Sequence, residues 1–159
     1  MVEVTEAGPE FADWAGLHAL LAAGFAGMEG RIDPPSSLAR MGPGELAAKA
    51  AAERLWLARE DGRLVGCLFG ARRGEALYLS KLAVAPERQG RGIGRALVEA
   101  AAAAALAEGL TALTLGTRVE LAENHAAFGR MGFRETGRTA HPGFDRPTSV
   151  EMRRELSAG

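Results

Sequence analysis

The residues with the clearest chemical pattern form the run Arg88-Gln89-Gly90-Arg91-Gly92-Ile93-Gly94-Arg95, which combines three glycines with three arginines. An apolar strand is predicted before this run and an alanine-rich helix after it. The first turn of a helix leaves backbone N–H groups without partners and carries a partial positive charge, so it can bind phosphate. Glycine lets a phosphate approach the backbone closely because it has no Cβ. The run therefore predicts a phosphate-binding turn.

Two nucleotide-binding motifs fit this turn poorly. The dinucleotide fingerprint requires glycine at its sixth position, where this chain has Arg95, and an acidic residue after the next strand. That strand ends in Gly116-Thr117-Arg118 instead. The ATP-type loop requires a lysine followed by serine or threonine, and the turn has no lysine.

The elements that must position this turn follow from hydrophobic periodicity and turn residues. Apolar residues recur every three or four positions in 11–25, which predicts a helix, and Asp61-Gly62 predicts a tight hairpin. The predicted strands are 2–5, 55–60, 63–71, 76–84, 112–117, 133–139 and 148–156. The predicted helices are 11–25, 43–52, 92–108 and 123–131, with a loop at 30–42. The order β-α-α-β-β-β-α-β-α-β-β shows no repeat or linker, so we expect one domain over residues 1–159.

The amino-acid composition restricts the classes of partner and the location that we expect for this protein. The 159 residues are 47% hydrophobic and 25% charged with a formal net charge of −1, so we expect no nucleic-acid or membrane-surface partner. The N-terminal residues do not resemble a signal peptide and the longest apolar tract, 100–106, is too short to span a membrane; we expect a cytoplasmic location. The single cysteine, Cys67, is expected in the core and excludes a disulfide within the chain and a cysteine-based metal site. We expect no metal, and the richness in Ala, Gly and Arg is typical of a bacterial GC-rich genome.

Two segments resemble a known family. Residues 82–94 resemble the acyl-CoA motif of the GNAT superfamily of N-acetyltransferases, whose core Gln/Arg-x-x-Gly-x-Gly/Ala is met by Gln89, Gly92 and Gly94. Glu123-Asn124-His125-Ala126-Ala127-Phe128, followed by Met131-Gly132-Phe133, resembles the second CoA segment of that family. The resemblance implies an α/β fold with a mixed, mostly antiparallel sheet of six to seven strands. This sheet would be splayed at the centre, between the strands ending at 84 and 117, and flanked by about four helices.

The resemblance also implies a set of residues that bind acetyl-CoA. The strand before the turn would pair with the pantetheine arm, the turn would surround the pyrophosphate, and the second segment would contact the arm near its thiol. The implied residues are Leu82, Ala83, Val84, Arg88, Gln89, Gly90, Arg91, Gly92, Ile93, Gly94, Arg95, Asn124 and Phe128. The implied activity is transfer of an acetyl group to an amine by direct attack within a ternary complex.

The chain departs from the family pattern at Phe128, where many members have a tyrosine that protonates the leaving thiolate. The catalytic candidates are therefore Tyr78, Glu120 and His141, and each has a structural alternative: strand packing for Tyr78, a favourable helix N-terminus for Glu120, and an exposed loop position for His141. Either water or another residue protonates the thiolate, or activity is slow. The absence of this tyrosine also leaves open a second function, that of a non-catalytic regulatory domain that binds acyl-CoA.

The acceptor side is less defined by the sequence. Ser80 is expected on the same strand face as Tyr78, and Arg118 is a candidate to pair with a carboxylate of the acceptor, with a surface arginine as the alternative. The loop 31–38 is expected to shape the acceptor pocket. A small-molecule or peptide amine, a propionyl or succinyl donor in place of acetyl, and a monomer or homodimer all remain open.

Overall fold

Seven strands form one sheet in the structure, a computed structural model that describes residues 1–157. The strands are β1 (Val2–Glu6), β2 (Arg54–Glu60), β3 (Arg63–Arg73), β4 (Ala76–Val84), β5 (Ala112–Arg118), β6 (Arg134–Thr139) and β7 (Ser149–Glu155). Their order is β1-β2-β3-β4-β5-β7-β6, and every neighbouring pair is antiparallel except β4 with β5. The predicted mixed, mostly antiparallel sheet is confirmed, while the predicted domain range includes residues 158 and 159, which lie outside the described residues.

Four α-helices accompany the sheet within residues 1–157, as predicted. They are α1 (Trp14–Phe25), α2 (Pro43–Ala52), α3 (Ile93–Ala107) and α4 (Ala122–Arg130). The prediction that α1 begins at residue 11 is wrong, because the Asp13 carboxylate accepts a hydrogen bond from the Gly16 N–H at 3.0 Å and caps the helix there. Phe11 instead packs edge-on against Trp14. The predicted loop 30–42 contains one short 3₁₀ turn, Ser37–Arg40.

The helices α1 and α3 pack on opposite faces of the sheet. A Cβ at Gly66 would lie 3.0 Å from Ile93 of α3, whereas a Cβ at Gly24 of α1 would lie 3.1 Å from the Ala83 side chain. Ala83 is directly paired with Cys67, the neighbour of Gly66, and successive strand residues point to opposite faces. The core therefore has two layers, one on each side of β2, β3 and β4.

Cys67 lies in this core, as predicted. Its side chain is fully buried, and burial raises the pKa of the thiol to about 12. The thiol is therefore protonated at neutral pH and unavailable as a nucleophile. Within residues 1–157, no helix has the length and apolar character needed to cross a bilayer.

Candidate active site

The sheet opens at its centre, between β4 and β5. These parallel strands pair only from Ala76–Leu79 with Ala112–Leu115. Beyond that point β4 continues with β3 alone and β5 continues with β7 alone. The predicted splay is confirmed, and within the described residues 1–157 it leaves one backbone edge of residues 80–84 without a strand partner.

The free edge of β4 presents the backbone groups of Leu82 and Val84. Ala83 pairs with Cys67 on β3, and the Ala85 N–H donates to the Val65 carbonyl oxygen at 2.8 Å. In an antiparallel pair alternate residues bond to the neighbouring strand, so the N–H and C=O groups of the residues between them point away from it. They point into the opening, as the pantetheine prediction requires, whereas the Ala83 methyl group is buried against α1.

A bulge in β4 lies directly beside this edge. Phe69 is opposite Ser80 while Cys67 is opposite Ala83, so Lys81 and Leu82 together face a single residue of β3. Lys81 has a φ of +54°, which is rare for a residue with a side chain. Bulges bend a strand and redirect a side chain. Here the Lys81 ammonium is directed towards the segment between α1 and α2, where it donates to Ser37 Oγ at 2.5 Å.

The glycine turn follows β4 and begins α3. Gly90 and Gly92 have φ values of +80° and +83°, and within residues 1–157 a Cβ at either position would meet no atom within 4 Å apart from the adjoining residues. The space next to these glycines is thus open to a ligand, and Gly92 is the residue that immediately precedes the helix. A Cβ at Gly94 would lie 3.8 Å from Val84, so the turn packs against the end of β4. The Ile93 side chain is buried in the core and offers a ligand only its backbone N–H.

The arginines of the turn are less available to an anion than their spacing suggests. Arg88 Nε forms an ion pair with Glu60 Oε1 at 2.5 Å. Arg95 donates to the carbonyl oxygen of Arg130 at 3.1 Å. Arg91 is exposed and, among residues 1–157, has no carboxylate within 4.0 Å. The fixed anion-binding groups here are therefore the backbone N–H groups at the start of α3.

Gln89 connects the turn to the strand before it. Its Nε2 donates to the Val84 carbonyl oxygen at 3.3 Å. That oxygen belongs to the free edge of β4, so the Gln89 amide lies where the predicted pantetheine arm meets the predicted pyrophosphate site.

A cavity of about 490 Å³ extends from this edge towards α1, α2 and α4. Seven of the predicted site residues line it: Tyr78, Ser80, Leu82, Arg118, Asn124, Phe128 and His141. Glu120 does not belong to the lining. Among residues 1–157, no group of three or more His, Cys, Asp or Glu side chains is placed to hold a metal ion.

Comparison with known proteins gives this arrangement a family. A sequence model of the acetyltransferase (GNAT) family matches residues 14–133, which include both segments of the resemblance. The chain belongs to the acetyltransferase (GNAT) family.

Solved structures of GNAT proteins share the fold over nearly the whole chain. The PaiA N-acetyltransferase of Thermoplasma acidophilum, solved with coenzyme A, has a TM-score of 0.81 at 16% identity, with 98% of this chain and 99% of that one covered. The ribosomal-protein-S18-alanine N-acetyltransferase of Escherichia coli has a TM-score of 0.73 at 20% identity, covering 100% and 96%. A GNAT acetyltransferase of Elizabethkingia anophelis with acetyl-CoA bound has a TM-score of 0.71 at 18% identity, covering 98% of each chain.

Phe128 and Asn124 of this GNAT chain lie on α4 and line the cavity. Phe128 is half-buried and packs edge-on against Phe133, with ring centroids 5.8 Å apart. It gives the cavity an apolar surface and supplies no proton.

Tyr78 carries the one phenol of the cavity. Arg73 covers its ring at 3.8 Å, and the hydroxyl would lie 3.3 Å from a Cβ at Gly116, across the opening of the sheet. Burial, and then the charge of Glu151, raise the pKa of Tyr78. The hydroxyl therefore keeps its proton near neutral pH, which suits a proton donor and not a base.

His141 has the opposite character. Its Nδ1 lies 2.5 Å from the hydroxyl of the buried Thr148, which orients the ring. Burial, and then the charge of Arg118, lower the pKa of His141, so the imidazole is mostly neutral at pH 7 and can accept a proton.

Glu120 lies outside the cavity wall. Its Oε2 accepts a hydrogen bond from the Asp33 N–H at 3.3 Å, and its Oε1 is buried without a hydrogen-bond partner in the described part of the chain. These contacts place the carboxylate under the loop between α1 and α2.

Arg118 fixes that same loop. Its two terminal nitrogens donate to the carbonyl oxygens of Pro34 and Pro35 at 2.5 and 3.2 Å. These contacts of Arg118 therefore hold the loop against the end of β5, which is a structural role separate from any binding of an acceptor.

Sequence reasoning missed the cationic wall of the cavity. Arg40, Lys49, Arg73 and Lys81 line it together with Arg118. A signal existed at Lys81, because a lysine precedes the apolar residues Leu82, Ala83 and Val84 in a strand predicted to lie in the sheet. The others lie on α2, on the 3₁₀ turn and at a strand end, and only the folded chain brings them to one cavity.

Proposed function

We propose that this protein is an N-acetyltransferase that moves an acetyl group from acetyl-CoA to an amine acceptor by direct attack in a ternary complex. One observation carries the proposal: the free backbone edge of residues 82–84 connects the glycine turn to the cavity. A ligand with a phosphate at one end, amides in the middle and a small acyl group at the other end fits that path. Acetyl-CoA is such a ligand, and it is bound in the Elizabethkingia anophelis relative.

The donor would lie along three groups of residues. Its pyrophosphate would take the N–H groups that follow Gly92, its pantetheine amides would pair with Leu82 and Val84, and Asn124 would contact the arm near its thioester. The acceptor would enter from the loop that Arg118 holds. Such placement makes the reaction effectively unimolecular, which is a large part of the rate enhancement of many enzymes.

The chemical step requires a neutral amine and a leaving thiolate. The amine nitrogen attacks the thioester carbonyl carbon, a C–N bond forms and the C–S bond breaks. The nitrogen then loses one proton and the thiolate gains one. The backbone N–H of Leu82 or Val84 would donate to the carbonyl oxygen as negative charge develops on it.

For the proton transfers we propose His141 as the acceptor and Tyr78 as the donor, because burial favours the neutral imidazole and the protonated phenol. Glu120 would act indirectly, through the loop and Arg118. Ser80, on the cavity side of β4, would hydrogen-bond the acceptor.

A second candidate is a non-catalytic domain that binds acyl-CoA, and Phe128 is the observation that favours it. This candidate shares the cofactor site and lacks turnover. We expect a location in the cytoplasm for either function, as a monomer or homodimer.

Thermal unfolding and thiol release separate these proposals. Acetyl-CoA should raise the melting temperature, and a panel of amines should then release free CoA, detected with a thiol reagent. A melting curve that millimolar acetyl-CoA leaves unchanged would refute both candidates. A clear shift with no acceptor-dependent release across the panel would refute the enzyme and support the binding domain.

A further inference from the structure

The wall of the cavity is strongly cationic although the whole chain has a formal net charge of −1. In the part of the chain that the structure describes, one carboxylate, that of Glu53, lines the cavity. Five cationic side chains line it: Arg40, Lys49, Arg73, Lys81 and Arg118. Charges of one sign along a concave wall attract ligands of the opposite sign.

Direct ion pairs neutralise little of this charge, although the nearby carboxylates of Glu120 and Asp33 partly offset the charge of Arg118. Lys49 Nζ pairs with Glu53 Oε2 at 2.9 Å, which accounts for the one carboxylate of the wall. Among residues 1–157, the other four cations have no carboxylate oxygen within 4.0 Å. Elsewhere the chain pairs its arginines readily, since Arg54 forms ion pairs with two glutamates and Arg153 does the same.

Lys81 experiences the uncompensated charge most directly. It is half-buried, and its contact at hydrogen-bond distance is the neutral Ser37 hydroxyl at 2.5 Å. Burial, and then the charges of Lys49, Arg118 and Arg40, lower the pKa of Lys81 to about 8. An anion placed beside Lys81 would offset both causes, because an opposite charge within about 4–6 Å favours the charged form of a titratable group.

The position of these cations assigns the anion to the acceptor and not to the donor. Arg40 is the last residue of the 3₁₀ turn between α1 and α2. Ser37, the first residue of that turn, accepts the hydrogen bond from Lys81. The donor phosphates would lie at Gly90–Gly94, beyond the other end of the free edge of β4. The cations thus face the part of the cavity that an acceptor would occupy, and the Lys81 ammonium lies 5.9 Å from the centroid of the Phe25 ring at the end of α1.

We propose that the acceptor is an amine that also carries a carboxylate, bound beside Lys81 and Arg40 with its apolar part against α1. This inference rests on the proposed function and names its substrate class. It excludes polyamines and other polycationic acceptors, because their additional positive charges would be repelled by this wall.

Matched acceptors test the inference by equilibrium binding, without requiring turnover. L-leucine, L-methionine and L-phenylalanine are each titrated against their amides into the protein saturated with CoA. The titrations are done at pH 6.5, where both kinds of α-amino group are mostly protonated. We expect at least one acid to bind about 10- to 100-fold more tightly than its amide, the scale of a charge-assisted hydrogen bond. The inference is overturned if no acid binds better than its amide, or if spermidine binds as tightly as the acids.

Variants connect the preference to the named cations. Lys81→Met and Arg40→Gln should each reduce the ratio of acid to amide affinity about tenfold or more, and Arg40 is exposed enough that its variant should fold. Arg63→Gln, at the exposed β2–β3 hairpin outside the cavity, is the matched control and should keep the ratio. An unchanged ratio in both cavity variants would overturn the assignment.

A comparison of two acyl donors distinguishes a carboxylate on the acyl group from a carboxylate on the acceptor. Succinyl-CoA and acetyl-CoA should bind with similar affinity; a succinyl preference that Lys81→Met removes would place the anion on the donor and overturn the inference. CoA release is measured separately with the same acids. Tighter binding of the acids than of their amides, without CoA release, would support the carboxylate site and refute acetyl transfer. CoA release without tighter binding of the acids would support acetyl transfer and refute the carboxylate site.

Discussion

Gly92→Val is the sharpest test of the donor site, because its effects on folding and on binding can be separated. Gly92 has a φ of +83°, and within residues 1–157 a Cβ there meets no atom within 4 Å apart from its adjoining residues. We therefore expect the cost to the free protein to be backbone strain, about 1–2 kcal/mol for a residue with a side chain. At about 2–4 °C per kcal/mol for a domain of this size, the melting temperature should fall by about 2–8 °C.

The loss of binding is a separate quantity. For the unmodified protein, acetyl-CoA at 100 times its Kd adds about 2.7 kcal/mol, or about 5–11 °C. The valine side chain would fill the space where a phosphate approaches the backbone. If affinity falls 100-fold, the same concentration adds only about 0.4 kcal/mol, or about 1 °C.

Gly74→Val is the matched control. Gly74 lies in the β3–β4 turn with a φ of +61°, and a Cβ there also meets no atom of the described chain within 4 Å apart from its adjoining residues. It should suffer the same strain and keep the full shift with acetyl-CoA, measured by thermal unfolding with and without ligand. Equal ligand shifts in the two variants would show that the phosphate does not bind at Gly92, and would refute the argument from the open space beside it.

Three further predictions concern proton transfer, electrostatics and helix stability. Phe128→Tyr should raise kcat, by at most about 10²–10⁴-fold, because it adds a proton donor on α4 besides the phenol of Tyr78. Phe11→Tyr is the control, and an unchanged kcat would show that thiolate protonation is not limiting or that Tyr78 already supplies the proton. Lys81 binds its proton more weakly in the folded protein than in the unfolded chain, so the free energy of unfolding of the parent protein, relative to Lys81→Met, should rise with pH between about 8 and 10.5. Urea unfolding of both proteins at pH 7 and pH 10 measures this difference in stability. A difference that is the same at both pH values would contradict the prediction. Gly94→Ala should raise the free energy of unfolding without ligand by about 0.5–1 kcal/mol, because Gly94 lies in the first turn of α3 and a Cβ there would lie 3.8 Å from Val84. A lower free energy of unfolding in urea would show that the added methyl group overlaps Val84.

Local chemistry was sufficient to predict much of this protein. The order of strands and helices follows from periodicity, and the glycine turn follows from residue types whose conformational freedom does not depend on distant partners. Gly90 and Gly92 have the positive φ values that this reasoning requires. The Asp61-Gly62 hairpin also forms as predicted, with positive φ at both residues.

The availability of each charge was decided by tertiary structure alone. Arg88 appears in the sequence as a free cation of the turn, but Glu60, 28 positions away, pairs with it. Arg118 holds carbonyl oxygens of a loop 84 and 83 positions away.

The opening of the sheet and the direction of Lys81 were also tertiary outcomes. The family resemblance led us to expect the opening, but only the strand register shows that pairing of β4 with β5 stops at Leu79 and that the bulge follows. Sequence by itself determined which residues can bend, cap or approach a phosphate, because those properties belong to single residues and their neighbours. Which charges remain unpaired around the cavity was decided by the folded chain, because ion pairing depends on distances that form only when separate elements pack.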